Sequence, residues 1–267
     1  MLIRRLLPRA LPLALVIALA IPSWLLASGQ SLMENAARER AKAPYDAGLA
    51  HLRNEAFDAA QKSFQQAVEL DPSFDMAHYM LGRTHMLLRN YVAASIALSR
   101  ARELFQADST RQFTDKQHRQ QVVRDRIRDL DQLIEDTRRA ADLPANVTRR
   151  FSMLQDVRLY EERKRQLQDA DRNESLQSTT AVPAFVSLAL GSAYFRTGKL
   201  QEAEQAYLAA VAADPKIGEA HNNLAVVYLE TGRYAQAEQA VRAAEKAGVR
   251  VNPELKAEIE KRKEKKS

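Results

Sequence analysis

The stretch Leu190–Pro215, LGSAYFRTGKLQEAEQAYLAAVAADP, returns 34 residues later as Leu224–Gly248, LAVVYLETGRYAQAEQAVRAAEKAG. Leu190 recurs as Leu224, Tyr194 as Tyr228, Gly198 as Gly232, Leu200 as Tyr234, Ala203 as Ala237 and Ala210 as Ala244. An earlier pair keeps the same period: Gly48 recurs as Gly82, Phe57 as Tyr91, Ala60 as Ala94, Phe64 as Leu98 and Ala67 as Ala101. Five of the eight glycines fall in this register, so the period is structural. A repeat of this length is one supersecondary unit that buries its apolar face only by stacking on neighbours.

Each position has a physical reason. Gly48, Gly82, Gly191 and Ala225 in the first helix of each unit let the second helix approach, and Ala60, Ala94, Ala203 and Ala237 meet them from the other side. Gly198 and Gly232 fall at the turn, where positive φ is cheap for glycine. Phe57, Tyr91, Leu200 and Tyr234 reopen the chain into the second helix, and Phe64 and Tyr207 fill the gap to the next unit. Pro72 and Pro215 end second helices because proline donates no backbone hydrogen bond.

These motifs resemble the tetratricopeptide repeat family: Leu190-Gly191-x2-Tyr194 with Ala203-x3-Tyr207 and Asp214-Pro215, then Leu224-Ala225-x2-Tyr228 with Ala237-x3-Val241. The first unit reads Ala47-Gly48-x2-His51, Ala60-x3-Phe64, Asp71-Pro72; the second reads Leu81-Gly82-x2-His85, Ala94-x3-Leu98 and lacks the closing proline. The resemblance covers about 41–108 and 184–251. It implies an all-α, helical-hairpin solenoid and a protein-binding role, while leaving the partner open.

Between the pairs the register is lost. Thr114 to Ala141 reads as one helix, opened by a Thr114-x-x-Gln117 capping box and striped by Val123, Ile127, Leu130 and Ile134. A second helix is expected over about Thr148–Asp171, carrying Phe151, Leu154, Val157 and Leu167. Residues 109–183 therefore read as a long charged helical hairpin and linker between an N-terminal pair with its leading helix (30–108) and a C-terminal pair (184–251). Its interleaved charges read as a solvated face, or as a coiled-coil seam for a partner. Residues 252–267 follow as a capping helix, with Asn252 and Pro253 at its start, and a basic tail. Ser31–Lys42 is expected to form a short helix ending before Pro44.

Composition narrows the class. The chain has 267 residues, net charge +6 and no cysteine, which removes disulfides, iron–sulfur clusters, cysteine-zinc sites and thiol catalysis. Arg4, Arg5 and Arg9 precede any acid, so the chain after them carries about +3, too little for a nucleic-acid partner without a clustered basic face. These arginines, the apolar block Leu11–Ala20 and the small residues Ala27 and Gly29 read as a signal peptide over 1–29, or as a membrane anchor over 10–27. Both readings place the remainder outside the cytoplasm: in the bacterial periplasm, secreted, or held at the inner membrane, with membrane contact through the N-terminal segment.

No catalytic signature is present: neither G-x-x-x-x-G-K-[ST], H-E-x-x-H nor G-x-S-x-G occurs. Four of the five histidines (His51, His85, His78, His221) are explained by repeat register, and His78 with His85 lacks a third ligand for zinc. No enzyme activity, cofactor or metal is expected. The resemblance implies concave grooves lined by first helices. The candidate partner-binding residues are Tyr45, Leu49, Tyr79, Arg83 and Met86 in the N-terminal pair, and Phe185, Leu188, Ser192, Asn222, Asn223 and Val226 in the C-terminal pair. Asn223 matches an asparagine with which some family members clamp a terminal carboxylate, but the accompanying lysines are missing. The expected function is an extracytoplasmic scaffold or assembly factor that holds a protein or peptide by burying an amphipathic helix or extended segment. The alternatives are a structural or self-associating protein whose groove is filled by its own hairpin or a second copy, and a non-catalytic subunit of an envelope enzyme complex.

Overall fold

The computed structural model describes residues 23–110, 116–142, 147–172 and 182–265, with side chains over 36–107, 120–142, 150–172 and 182–265. Every regular element among the described residues is an α-helix: α1 Ser23–Arg53, α2 Phe57–Leu70, α3 Asp75–Leu87, α4 Tyr91–Thr110, α5 Lys116–Asp142, α6 Val147–Arg172, α7 Ala184–Arg196, α8 Leu200–Ala213, α9 Gly218–Glu230, α10 Tyr234–Lys246 and α11 Pro253–Glu264. Four antiparallel hairpins, α1–α2, α3–α4, α7–α8 and α9–α10, are the four repeats. Their second helices begin at Phe57, Tyr91, Leu200 and Tyr234, as the period requires.

Close approach within each hairpin depends on the first-helix glycine. A Cβ on Gly48 would lie 2.6 Å from the Phe64 ring, one on Gly82 2.5 Å from Leu98 and one on Gly191 2.6 Å from Tyr207. In the fourth repeat Ala225 supplies that Cβ, and the facing residue is the smaller Val241. The turn shows the same economy. Gly198 and Gly232 have φ of 77° and 71°, while Glu55 and Arg89 hold the equivalent point of the first two repeats at 59° and 60°. A side chain in this left-handed region crowds the following carbonyl, at a cost of about 1–2 kcal/mol.

Pro44 does not end the leading helix. α1 runs from Ser23 through Pro44 to Arg53, although proline leaves the carbonyl of Arg40 without its usual donor. Ala41, Tyr45 and Leu49, on one face of α1, are all buried in the main core, and this burial outweighs one lost backbone bond. The short helix expected over Ser31–Lys42 is therefore part of the first helix of repeat 1.

The two repeat pairs, distant in sequence, meet in space. α4 packs on α7 as α2 packs on α3 and α8 on α9. The seam carries a Ser99–Tyr194 hydroxyl pair at 3.0 Å, and Arg196 donates to the Tyr91 hydroxyl at 2.6 Å with its guanidinium 4.7 Å above that ring. The stack thus runs α1–α2–α3–α4–α7–α8–α9–α10, and the α5–α6 hairpin is inserted between the second and third repeats. α11 packs on α10. Asn252 caps it by accepting from the Glu254 N–H at 2.9 Å, and Ile259 is buried beneath it.

α5 and α6 have 27 and 26 residues, about 40 Å each, against 13 or 14 in α2, α3 and α7–α10. They pair with each other through Val123, Leu130, Leu133, Val157, Tyr160 and Leu167, with Arg138–Glu161 and Lys164–Asp131 at the exposed edge. Thr114 of the expected capping box, the linker 173–181 and most of the leader, including Arg4, Arg5, Arg9 and Leu11–Ala20, lie outside the described residues. No helix among the described residues is long and apolar enough to cross a membrane. Near the basic end, Lys261 and Arg262 pair with Glu258, and Lys263 with Glu238.

Candidate functional site

The candidate site is the face formed by the first helices α1, α3, α7 and α9. The hairpin lies on its N-terminal part. α5 follows α1 in the same direction: Gln132 donates to Asp46 at 2.8 Å and Arg53 to Asp136. α6 returns across α3 and α7. Tyr160 meets Tyr79 hydroxyl to hydroxyl at 3.0 Å, and its ring stands at 88° to Phe185 with centroids 5.1 Å apart. Tyr79 and Phe185 are themselves 4.8 Å apart, so three aromatic rings from α3, α6 and α7 close one cluster. Arg83 donates to Asp156 at 2.5 Å and to the Tyr160 hydroxyl. At the ends of the contact, Arg126 pairs with Asp75 at 3.2 Å and Arg158 with Glu219 at 2.8 Å.

This placement divides the eleven expected partner-binding residues. Tyr45, Leu49, Tyr79 and Phe185 are at most 3% exposed, beneath the hairpin or against Phe64 and Phe74. They form an internal seat, where sequence reasoning placed an open wall. The physical reason is that the apolar stripes of α5 and α6 need a partner surface, and the inserted hairpin reaches the nearest one. Arg83 is engaged by Asp156, and Met86 is half-buried against the main core. Leu49 and Arg83, with Leu52, Met80, Asp136 and Met153, line a shallow recess at the tip side of the hairpin.

The C-terminal part of the face stays open. Leu188, Ser192, Asn222, Asn223 and Val226 are all half-buried. Two of them are turned to internal work. The Ser192 hydroxyl donates to the Leu188 carbonyl at 3.0 Å and accepts from Tyr207 at 3.3 Å, and Asn223 also bonds the Tyr207 hydroxyl. Burial pushes that phenol up to about 12. Leu188, Asn222 and Val226 remain as a polar–apolar strip, with Leu188 touching both hydrophobic clusters.

Electrostatics under the hairpin are uneven. Burial beside the carboxylate of Asp75 raises the pKa of Asp129 to about 6, against the pull of Arg38 and Arg128. Arg163, buried within α6, falls to about 10 through burial and the proximity of Arg126. Burial also pushes up the phenols of Tyr45, Tyr79 and Tyr160. The inward face of α6 is carried by Val157, Tyr160, Arg163, Leu167 and Ala170. Phe151 and Leu154, expected in that stripe, are instead 63% and 49% exposed.

The histidines keep repeat register. His78 and His221 stand 3.1 and 3.2 Å from the carbonyls of Pro72 and Pro215, so each ties its helix to the preceding turn. No group of three or more histidine, aspartate or glutamate side chains among the described residues is placed to hold a metal ion. His118 lies outside the described side chains.

The comparisons agree with this architecture. The tetratricopeptide repeat model matches residues 45–109 and 188–248, the segments on either side of the inserted hairpin. Among solved structures, the chain is similar to MamA at 16% identity, covering 75% of this chain and 94% of that one, with a TM-score of 0.25. It is similar to the TPR2AB domain of yeast Sti1, in a structure described as a pHSP90 complex, at 16% identity, covering 84% and 99%, with a TM-score of 0.28. It is also similar to the P58(IPK) TPR domain, at 16% identity over 84% and 65%, with a TM-score of 0.30. At these identities the likeness concerns the repeat fold alone. No curated protein matches the sequence.

Proposed function

We propose that the chain is a non-enzymatic, extracytoplasmic scaffold or assembly factor that holds a partner polypeptide against the first-helix face of its repeats. The observation that carries this reading is the open strip Leu188–Asn222–Val226. Apolar side chains and a carboxamide share one half-exposed surface beside the seam where the hairpin stops. Such a surface suits an extended or helical segment that buries apolar groups while its polar backbone is fixed at a few points. Location outside the cytoplasm rests on the arginine-led apolar leader.

Two measurements test it. Alkaline phosphatase fused after Lys42 should be active in a bacterial host; an inactive, soluble cytoplasmic fusion would reject the location. Asn222→Arg with Val226→Arg should abolish capture of the partner from the native envelope, while Val92→Arg on the exposed side of α4 should preserve it. The reverse pattern would reject the site. A second reading, a self-filled structural protein, is favoured by the hairpin seated on the first helices of repeats 1 to 3. A non-catalytic subunit of an envelope enzyme complex would use the same strip and be recognised by co-purification with an enzyme.

A further inference from the structure

We infer that the α5–α6 hairpin is a detachable occupant of the first-helix face. It competes in cis with a helical polypeptide that carries an aliphatic stripe flanked by acidic residues opposite Arg53 and Arg83. This rests on the reading that the face receives polypeptides.

Three observations support it. First, the solenoid does not need the hairpin for continuity, because α7 stacks directly on α4 and the first three repeats each close on their own glycine contact. Second, polar links surround the apolar contact made by Leu130, Leu133, Ile134, Val157 and Tyr160: Arg53–Asp136, Arg83–Asp156, Arg126–Asp75, Gln132–Asp46 and Arg158–Glu219. The more exposed of these pairs, Arg158–Glu219 and Arg53–Asp136, set register and orientation more than they add stability. Third, the seat is electrostatically imperfect. Docking brings the half-buried Asp129 into the field of Asp75, faced by Arg38 from α1, Asp71 from the α2–α3 turn, and Asp125, Arg126 and Arg128 from its own helix. The hairpin shows the chemistry of the competitor: aliphatic residues at Val123, Ile127, Leu130 and Ile134, an aromatic at Tyr160, and carboxylates at Asp136 and Asp156 placed for two arginines.

The test uses the full chain. Asp136→Arg with Asp156→Arg sets like charges against Arg53 and Arg83. Amide exchange over α5 and α6 should accelerate at least tenfold while the repeat helices keep their protection. Adding Arg53→Asp and Arg83→Asp should restore protection. The probe is a fluorescent polypeptide of residues 116–172. It should bind the reversed variant at least tenfold tighter than the wild-type chain. It should not bind a chain whose hairpin is locked by a bis-maleimide between Asp46→Cys and Gln132→Cys, a unique pair because the chain has no cysteine. Unchanged exchange over α5–α6, or loss of repeat helicity together with the hairpin, would overturn the detachable occupant and leave the polypeptide reading standing on the C-terminal strip. A released hairpin with no probe binding would instead refute the first-helix face of repeats 1 to 3 as a polypeptide receptor.

Discussion

Replacing Asp129 by asparagine should stabilise the docked hairpin at neutral and alkaline pH. Asp129 is half-buried near Asp75, and burial with that carboxylate pushes its carboxyl up to about 6 against an ordinary 3.8. The folded chain therefore holds a proton on this group that the unfolded chain releases. Above pH 6 the folded state must carry a half-buried carboxylate, and that penalty is fully present. As pH falls from 6 toward 4 the penalty is relieved, and below the unfolded value no further change follows. The gap corresponds to about 3 kcal/mol as an upper bound, at 1.36 kcal/mol per pKa unit. Asparagine keeps the shape and never ionises, so Asp129→Asn should gain on the order of 1–3 kcal/mol at pH 8 and almost nothing at pH 4. Urea unfolding at both pH values, paired with exchange rates of the α5 amides, reads the effect. A variant no more stable at pH 8, or a benefit that grows as pH falls, would refute the argument that a half-buried like charge near Asp75 opposes docking.

Four further outcomes are expected. Gly191→Leu and Ala203→Leu should each destabilise repeat 3 by at least about 1–3 kcal/mol, because Tyr207 already stands where a Cβ on Gly191 would go and Ala203 is wholly buried; unchanged thermal melts would mean the helix contact is misplaced. Glu55→Gly and Arg89→Gly should raise stability by a few tenths to about 1 kcal/mol, the left-handed strain less the entropy of glycine, and a loss in both would show that the turn carries no strain. Phe185→Ala should cost about 3–5 kcal/mol of stability, since its ring closes the cluster with Tyr79 and Tyr160, whereas a stable variant with weakened partner binding would return Phe185 to an open wall. Hydrogen exchange should show unbroken protection from about Gln120 to Arg138, and a fast gap there would divide α5 into two short helices.

Much of the fold was legible because local rules and the repeat agree. The glycine that admits a neighbouring ring, the large residue that opens the second helix and the closing proline each announce one geometry, and α8 and α10 begin where Leu200 and Tyr234 said they would. The hairpin was legible as two long helices for the same reason, its stripe having helical spacing. Where it docks was not. An aliphatic stripe states that a surface must be covered and says nothing of which surface covers it. Tyr79 and Tyr160 are 81 residues apart, and neither sequence neighbourhood marks the other. Phe151 and Leu154 misled because they are apolar at a helical interval, yet they sit on the side of α6 away from Tyr160 and Leu167. Pro44 misled through a sound local rule that tertiary burial of Tyr45 and Leu49 overrides. Of the expected site, Leu188, Asn222 and Val226 stay open. Ser192 and Asn223 were not separable from them by sequence, because their bonds to Tyr207 depend on a ring reaching back from the second helix.

The most direct test of the account is site-specific photo-crosslinking in the native envelope. A photoreactive amino acid would be placed in turn at Leu188, Asn222 and Val226 on the first-helix strip, and at Val92 and Ile96 on the exposed side of α4. The account predicts covalent adducts to one polypeptide from the three strip positions and none from the two α4 positions. Adducts from Val92 and Ile96 with a silent strip would contradict it.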